Sequence, residues 1–369
     1  MEVQKTMVTI LDRPVFDALE AYSRKSSEEL SEMILEHKRR LGSRLLILGH
    51  FYQKPEVIDL ADITGDSYGL SKAAAEADGC EMILFCGVHF MAESARILAR
   101  RDQVVLHPDQ RAGCPMADMA NLDTVTQAWE ELAEITDVSR VIPVTYMNSD
   151  ADLKAFCGEH GGIVCTSSNA PRVYDWCFER GDKILFFPDE HLGRNTGNLR
   201  GIPKDLMPVW DGKMERGGLS EDQVRSARVL LWKGFCHVHT HFTVEQIQKV
   251  RESDPEAVIL VHPECPEEIV AAADGCGSTE YIRRQVEKAA PGTTIYIGTE
   301  LNHSVNLARK HPHLTIHYLS RSLCPNMWKI GLNDIAYTLD MGGKINRVEL
   351  PDSIIVPGRL ALERMLEVA

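Results

Sequence analysis

The sequence has no long hydrophobic run and no hydrophobic leader. No stretch of its 369 residues reaches the roughly 18 consecutive apolar residues that a membrane-spanning helix requires. The first residues, MEVQKTMVTILDRP, lack the apolar segment of a secretory signal peptide. We therefore expect a cytoplasmic protein that does not cross a membrane.

An excess of basic residues is also absent. Lys and Arg total 40 against 54 Asp and Glu, so the formal net charge is −14. A chain of this charge is repelled by nucleic-acid phosphates, and the short basic segment KRRLGSR, which begins at Lys38, is more typical of the end of a helix. The composition therefore disfavours a nucleic-acid-binding protein.

Cysteine is plentiful, but the pattern of a disulfide scaffold is missing. The ten cysteines are unevenly spaced in a long chain without a secretory leader, which favours a reducing compartment. Most cysteines in such proteins are small buried hydrophobes. We expect this of the six that lie in apolar or helical segments: Cys80, Cys86, Cys157, Cys165, Cys177 and Cys276.

Three stretches of the chain repeat a pattern of four short apolar runs that predict β-strands. The first stretch contains LLILGHFYQ, a weaker run before GDSYGLSK, MILFCGV and VVLHPDQRAGCPMA. The second contains VIPVTYMNSD, GIVCTSSNAP, KILFFPDEHLG and VLLWKGFCHVH, and the third contains AVILVHPECPEE, ADGCGSTEYI, TIYIGTELNH and TIHYLSRSLCPNM. Helix-like segments separate these runs, and strands that alternate with helices indicate parallel sheets.

The repeat predicts an α/β fold of three similar small domains, each with a Rossmann-like parallel sheet. We place these domains at residues 43–122, 123–242 and 243–369, the last with a C-terminal helix. A separate helical segment lies within residues 1–42, from about Arg13 to Gly42, with a capping box formed by Ser26 and Glu29. Domains packed around a pseudo-threefold axis with their strand ends inward would enclose a central active-site cavity.

One cysteine follows the last strand of each repeat: Cys114, Cys236 and Cys324. Three thiolates at equivalent positions are the ligands that an iron–sulfur cluster with one open iron needs. Cys114 and Cys324 each precede a proline, as at the start of a helix, where a lowered thiol pKa favours metal ligation. Cys265 also precedes a proline, but it follows a first strand and so falls outside the pattern.

Polar side chains follow the first strand of every repeat, at the sheet edge where α/β proteins bind ligands. They are His50 and Tyr52, then Tyr146 and Asn148, then His262 and Glu264. A hydroxyl follows each second strand: Ser67, Ser167 and Thr279, the last with Ser278 adjacent. Each hydroxyl taken alone fits a helix N-cap, whereas their recurrence favours a shared cavity wall.

A competing metal site is present in CHVHTHF, where His237, His239 and His241 alternate. On a strand all three side chains would share one face, as histidine ligands do in zinc hydrolases. A zinc-dependent hydrolase is therefore an alternative, although the sequence does not place the carboxylate ligand that it would need. A noncatalytic iron–sulfur sensor is another, although no basic helix or disordered tail offers an output surface.

Nine short motifs, in order across most of the chain, resemble those of the quinolinate synthase family of de novo NAD biosynthesis, the route to the pyridine nucleotides. They are GHFYQ, GDSYGLSK, AGCPMA, TYMNS, CTSSNA, GFCHVH, VHPEC, GCGST and LCPNM. That family folds as a triangle of three α/β domains, which agrees with the repeat. The resemblance implies an enzyme that catalyses a condensation and dehydration of the transferase or lyase type.

The resemblance also implies the substrates and the cofactor. Iminoaspartate would condense with dihydroxyacetone phosphate to give quinolinate, phosphate and water. One [4Fe–4S] cluster per chain, held by Cys114, Cys236 and Cys324, would act as a Lewis acid through its open iron. Because iminoaspartate hydrolyses readily, we also expect a transient complex with L-aspartate oxidase.

By motif match, the resemblance assigns roles to the residues of the cavity wall. Those that would contact the substrates are His50, Ser67, Tyr146, Asn148, Ser167, His239, His262, Glu264 and Thr279. Glu264 is the candidate general base, with Tyr52 and His262 as proton-transfer partners. The match does not separate Ser167 from Ser168. It departs from some members after Cys324, where no C-x-x-C-x-x-C run follows, so thiol–disulfide regulation is not expected.

Overall fold

The three repeats fold as three parallel sheets with the same strand order. The computed structural model describes residues 19–368. In each sheet the first strand of the repeat lies between the second and the third, and the fourth strand follows the third. Every strand pair within these sheets is parallel. The predicted α/β fold of three similar units is confirmed.

The strands match the predicted runs, with one addition. The first sheet contains β1 (Leu45–His50), β2 (Ile63–Gly65), β3 (Met82–Cys86) and β4 (Val104–Leu106). The second contains β5 (Val141–Tyr146), β6 (Ile163–Cys165), β7 (Lys183–Phe187), β8 (Val209–Trp210) and β9 (Val229–Trp232). The third contains β10 (Val258–Val261), β11 (Gly275–Cys276), β12 (Thr294–Gly298) and β13 (Thr315–Tyr318). The pattern does not predict β8, because two residues at a sheet edge are too short to show a periodicity.

Helices join the strands and cover the sheets. The first unit has α1 (Ser27–Leu41), α2 (Pro55–Ile58), α3 (Ser67–Ala75) and α4 (His89–Leu98). The second has α5 (Leu122–Ile135), α6 (Ala151–Glu159), α7 (Ala170–Phe178), α8 (Glu190–Leu199) and α9 (Glu221–Ser226). The third has α10 (Val244–Ser253), α11 (Glu267–Ala272), α12 (Thr279–Lys288) and α13 (Leu301–Lys310), followed by α14 (Pro325–Lys329), α15 (Leu332–Asp340) and α16 (Asp352–Glu367). Between residues 19 and 368, none of the helices has both the length and the apolar character needed to cross a bilayer.

The central strands are apolar because both faces of each sheet are covered. All five residues of β7 and all four of β9 are buried. Continuous burial of this kind is characteristic of parallel sheets, in which crossover helices lie on both sides. The same crossovers bring the carboxyl ends of all strands to one edge of each sheet.

Helix α1 begins and ends as the sequence predicts. The hydroxyl of Ser26 accepts the amide hydrogen of Glu29 at 3.2 Å, and the Glu29 carboxylate accepts that of Ser26 at 2.7 Å. Gly42 follows the helix with a φ of +54°, a conformation that favours glycine. The part of the predicted helical segment from Arg13 to residue 18 lies outside the described residues.

The chain after the third sheet returns to the first two units. Helix α15 packs against α1, whereas α16 packs against α4 of the first unit and against α6 and β6 of the second. A Cβ atom on Gly158 would lie 1.8 Å from the carbonyl oxygen of Pro357, so α6 and α16 approach to backbone contact. The domain boundaries at 43–122, 123–242 and 243–369 stay a prediction, and each range encloses one sheet.

Replacing Gly158 by alanine should destabilise the protein, because the added methyl group would overlap the Pro357 carbonyl and push α16 away from α6. Overpacking of this kind lowers the free energy of unfolding by about 1–3 kcal/mol. Urea denaturation followed by circular dichroism measures the change. Gly79→Ala is the matched control, since no atom lies within 4 Å of its Cβ position. Equal stabilities of the two variants would contradict the close helix contact.

Candidate active site

One cavity of about 60 Å³ is lined by residues that follow strands of all three sheets. Every residue that the sequence predicts for the site lines it: His50, Tyr52, Ser67, Cys114, Tyr146, Asn148, Ser167, Cys236, His239, His262, Glu264, Thr279 and Cys324. The lining is completed by Asp66, Val88, Phe90, Met91, Thr166, Val238 and Met327. The fold therefore brings these residues together, while the role of each stays a prediction.

Two of the three cysteines precede a proline, but only one of them begins an α-helix. Cys324 is the N-cap of α14, as predicted. Cys114 instead lies before a single 3₁₀ turn, Ala117–Met119, so the helix predicted there is wrong. The reason is local, because Asn121 already caps α5 and leaves room for one turn only. Both sulfurs still reach the cavity.

The thiols of the three cysteines are half-buried and free of disulfides. Burial raises the pKa of the Cys114 thiol to about 12 and that of Cys324 to about 11, and nearby backbone amides oppose this only in part. Burial also raises the pKa of Cys236 well above its ordinary value, and the charge of Glu264 adds to the effect. The lowered pKa expected at a helix start is therefore wrong, because desolvation outweighs the amide hydrogen bonds.

Three cysteine sulfurs that line one cavity form a soft donor set. Such donors suit iron–sulfur clusters or zinc, whereas magnesium and calcium prefer oxygen ligands. Metal ligation would deprotonate the thiols, since a bound cation overcomes the desolvation of the thiolate. The residues present therefore fit a cluster held by Cys114, Cys236 and Cys324.

The remaining cysteines do not line the cavity. Buried as expected are Cys80, Cys86, Cys157, Cys165 and Cys177, whereas Cys276 is half-buried on the edge strand β11. Cys265 is fully buried, and its sulfur lies 3.8 Å from the carbonyl oxygen of Gly298. The exclusion of Cys265 by the repeat pattern agrees with this position.

The histidine-rich segment after Cys236 forms a turn and not a strand. The Cys236 carbonyl accepts the amide hydrogen of His239 at 3.0 Å, which closes the turn. His239 is buried in the cavity, whereas His237 and His241 are exposed. The expectation of one shared face is wrong, because alternating residues share a face only in an extended strand. The three-histidine zinc site thus loses its geometric basis.

Glu264 is a buried acid of the cavity, with 3% of its surface exposed. Its Oε2 lies 2.8 Å from His239 Nδ1, and its Oε1 accepts the hydroxyl hydrogen of Tyr146 at 2.5 Å. Burial raises the pKa of Glu264, but the imidazoles of His239 and His262 outweigh burial, so the pKa lies below its usual range. Glu264 is therefore a carboxylate at neutral pH, and its negative charge lies beside the His239 ring.

The other ring nitrogen of His239 meets a pair of hydroxyls. His239 Nε2 lies 2.9 Å from Thr299 Oγ1, and Thr299 Oγ1 lies 2.6 Å from the hydroxyl of Tyr52. Tyr52 is also 3.4 Å from His239 Nε2. Sequence reasoning did not identify Thr299, although this residue directly follows β12 and the rule that ligands bind at strand ends could have found it.

Two further imidazoles in the cavity are neutral. His262 stacks on His239 with ring centroids 4.5 Å apart, and its Nε2 lies 3.2 Å from Ser167 Oγ. His50 Nδ1 accepts the amide hydrogen of Tyr52 at 3.1 Å. Burial lowers the pKa of both His50 and His262 to about 3. Both rings can therefore form hydrogen bonds at neutral pH without carrying a charge.

The hydroxyls predicted after the second strands are not helix N-caps. Asp66 caps α3 and Ser278 caps α12 through their side-chain oxygens. Ser67 and Thr279 are the first residues of these helices. Ser167 lies three residues before Ala170, the first residue of α7. Their hydroxyls are therefore available to the cavity, which agrees with the shared-wall interpretation and not with capping.

The cavity offers neutral donors and one unpartnered acceptor. Among the described residues that line it, none is Lys or Arg. The N-terminal ends of α3 and α12 lie at its wall, and such ends attract anions through free amide groups. Asn148 Oδ1 is buried without a hydrogen-bond partner in the described part of the chain. Such an unpaired group is costly unless a ligand pairs with it.

A smaller metal-binding group overlaps the three-cysteine set. One ligand atom each of Cys236, His239 and Glu264 lies within 4.8 Å of the others. A cysteine, a histidine and a carboxylate can hold a single zinc ion. Because this group needs neither Cys114 nor Cys324, metal analysis of cysteine variants can separate it from a cluster.

Unfolding should take up a proton at His50, because its pKa of about 3 in the folded protein returns to about 6.5 in the unfolded chain. This contribution to stability is complete above about pH 6.5 and is lost as the pH falls towards 3. Between about pH 6.5 and 5, the free energy of unfolding should fall less steeply for His50→Gln than for wild type, by up to about 1.4 kcal/mol per pH unit.

Denaturant unfolding at a series of pH values measures these slopes. His237→Gln removes an exposed imidazole and should keep the wild-type slope. If His50→Gln also keeps the wild-type slope, the imidazole of His50 is not desolvated in the folded protein.

Comparison with known proteins assigns the chain to a family. The family model described as the quinolinate synthetase A protein matches residues 32–367. The chain is 49% identical to the quinolinate synthase of Corynebacterium glutamicum over 354 residues, which cover 95% of this chain and 90% of that protein. It is 47% identical to the quinolinate synthase of Rhodopirellula baltica, covering 95% and 93%, and 44% identical to that of Halalkalibacterium halodurans, covering 96% and 99%. The chain therefore belongs to the quinolinate synthetase A protein family and is an enzyme.

Proposed function

We propose that the protein condenses iminoaspartate with dihydroxyacetone phosphate to form quinolinate in NAD biosynthesis. One molecule of each substrate would give one quinolinate, one phosphate and two waters, which balances all atoms without an oxidant or a reductant. The reaction needs carbon–nitrogen and carbon–carbon bond formation, a shift of the carbonyl group and loss of water. Several proton transfers must therefore occur in one closed site.

The observation that carries this proposal is the convergence of the three cysteines and the polar strand-end residues on one cavity. Membership of the quinolinate synthetase A protein family supports the same reaction. Cys114, Cys236 and Cys324 would hold the [4Fe–4S] cluster, one per chain. When bound, the cluster would supply a Lewis acid at its open iron, which polarises a substrate oxygen.

The chain's own residues would move the protons. Glu264 remains ionised and holds His239, while His239 Nε2 lies within hydrogen-bonding distance of Thr299 and close to Tyr52. We therefore assign proton transfer to His239 and Tyr52, with Glu264 as the carboxylate that stabilises the charged imidazole. This assignment modifies the expectation that Glu264 itself is the base, because a carboxylate with a lowered pKa is a weak base.

The remaining wall residues would bind and orient the substrates. Carboxylates and phosphate are anions, and here they would meet hydroxyls, the ends of α3 and α12, and neutral imidazoles. Ser67, Ser167 and Thr279 supply the hydroxyls, and the unpartnered Asn148 Oδ1 would accept a hydrogen from an amine or hydroxyl of a substrate. His50, His262 and Tyr146 would orient these groups.

Two alternatives and two finer expectations stay open to experiment. The turn after Cys236 argues against a zinc hydrolase built on His237, His239 and His241. The polar strand-end residues that line the cavity favour catalysis over a noncatalytic iron–sulfur sensor, which would not need them. We retain the cytoplasmic location and the transient complex with L-aspartate oxidase as parts of the proposal, since iminoaspartate is short-lived in water.

Anaerobic purification with iron and sulfide analysis tests the ligand set. We expect a brown wild-type protein with about four irons, and loss of the colour in each of Cys114→Ala, Cys236→Ala and Cys324→Ala. Cys265→Ala is the matched control and should retain the cluster, because its sulfur lies outside the cavity lining. Circular dichroism confirms that the variants are folded. A colourless protein that binds one zinc and depends on Cys236 alone among the cysteines would contradict the cluster.

Turnover of Glu264→Gln tests the proton-transfer chain. The amide cannot stabilise a charged His239, so quinolinate formation should fall by about 10²- to 10⁴-fold while the visible spectrum stays that of wild type. Glu268→Gln, an exposed neighbour on α11, is the control and should retain full activity. If Glu264→Gln also loses the cluster, Glu264 supports the metal site instead of proton transfer.

A further inference from the structure

A second, larger cavity opens beside the candidate active-site cavity of about 60 Å³, which we call the reaction cavity. It is a groove of about 700 Å³ that receives side chains from all three units. Asp66 lines both the groove and the reaction cavity. The proposed function does not use the groove, but the position of Asp66 makes the two spaces neighbours.

The boundary between these spaces consists of three pairs of consecutive residues, one pair from each unit. Ser67, Ser167 and Thr279 line the reaction cavity, whereas their chain neighbours Asp66, Ser168 and Ser278 line the groove. Each pair lies where the second strand of its unit leads into the following helix, and Ser67 and Thr279 are the first residues of their helices. The pseudo-repeat therefore places three equivalent chain segments at the boundary between the groove and the reaction cavity.

The three groove-side residues are joined to one another by hydrogen bonds. The Ser168 hydroxyl donates to Asp66 Oδ2 at 2.5 Å. Ser168 Oγ also lies 2.8 Å from Ser278 Oγ, and because a hydroxyl carries one proton, Ser278 is the donor in this second bond. A single side chain of the second unit thus links the first unit to the third. We call Asp66, Ser168 and Ser278 the junction.

The groove carries basic side chains on an acidic protein. Arg172, Arg283, Arg284 and Lys310 line it, against the acids Asp66, Glu280 and Glu287, while the whole chain has a net charge of −14. Glu280 pairs with both Arg283 and Arg284. Arg172 and Lys310 are exposed and form no ion pair with any described residue. Two free positive charges therefore face the groove, and clefts of this kind concentrate anions.

The reaction cavity contains no such charge and little space. Its volume of about 60 Å³ would hold about four water molecules, which is less than a three-carbon phosphate and a four-carbon dicarboxylate occupy together. Displacement of part of the wall would enlarge this space for the substrates. The junction is the part of the wall that faces the basic groove.

We propose that the groove is the entrance for the anionic substrates and that the junction is the gate between this entrance and the reaction cavity. The inference rests on the proposed function, which supplies the anionic substrates. Arg172 and Lys310 attract the anion, and the parting of Ser168 from Asp66 and Ser278 admits it. Closure restores the junction and separates the reaction from bulk water.

The test uses the cluster-loaded protein and quinolinate as the anionic probe. Stopped-flow fluorescence of the tryptophans gives its association and dissociation rate constants. Ser168→Ala removes the link without removing a helix cap, since Asp66 and Ser278 are the caps at this site. Both rate constants should rise about threefold or more while the dissociation constant stays within about twofold. A gate changes the free-energy barriers to entry and exit, but not the free energies of the bound and free states. Ser168→Thr keeps the hydroxyl and should behave as wild type.

The charges are tested separately with the double variant Arg172→Gln and Lys310→Gln. Association should slow by about three- to tenfold at low salt, and the difference from wild type should vanish at high salt. The matched control, Lys213→Gln with Lys249→Gln, removes the same charge from exposed positions outside the groove and should associate at the wild-type rate.

Three results would overturn parts of this proposal in distinguishable ways. Unchanged rate constants in Ser168→Ala, or a change in only one of the two, would exclude the gate. Equal slowing by the groove and control charge variants would exclude the entrance. A wild-type protein that binds quinolinate but forms none from iminoaspartate and dihydroxyacetone phosphate would exclude the proposed reaction. The rate constants for quinolinate binding would still show whether the junction acts as a gate.

Discussion

The structure depends on one topological constraint, the parallel direction of the strands. A strand joined to the next parallel strand by a crossover helix must end at the same sheet edge as its neighbours. Each unit therefore presents every strand-end residue on one side. Three such units produce a cavity whose wall consists of strand ends and of the loops and helix starts that lie beyond them, and this is why residues as distant in sequence as Tyr52, Tyr146 and Glu264 meet.

The same constraint explains how much of the site could be predicted from the sequence. Once the repeats are aligned, equivalent positions in three units identify Cys114, Cys236 and Cys324 without knowledge of any distance. Position along a strand is a local property, and apolar runs define it well. The capping box of α1 is equally local, because Ser26 and Glu29 are three residues apart.

What could not be predicted depends on contacts between units or on burial. Thr299 acquires its role only because Tyr52 and His239 reach it from other units. The raised thiol pKa of Cys114 reflects the depth of the cavity, which no local motif encodes. The turn after Cys236 replaces a predicted strand because alternating histidines in a short segment carry no information about where the preceding strand ends.

The last helix of the chain has a consequence for the order of assembly. Helix α16 packs against α4, α6 and β6, and the side-chain amide of Asn169, next to Ser168, donates to the Met365 carbonyl at 3.2 Å. During synthesis, the first two units leave the ribosome well before this helix exists. Their shared face therefore remains uncovered until α16 has been synthesised, so the contact among α4, α6 and β6 is completed only after the third unit has been made.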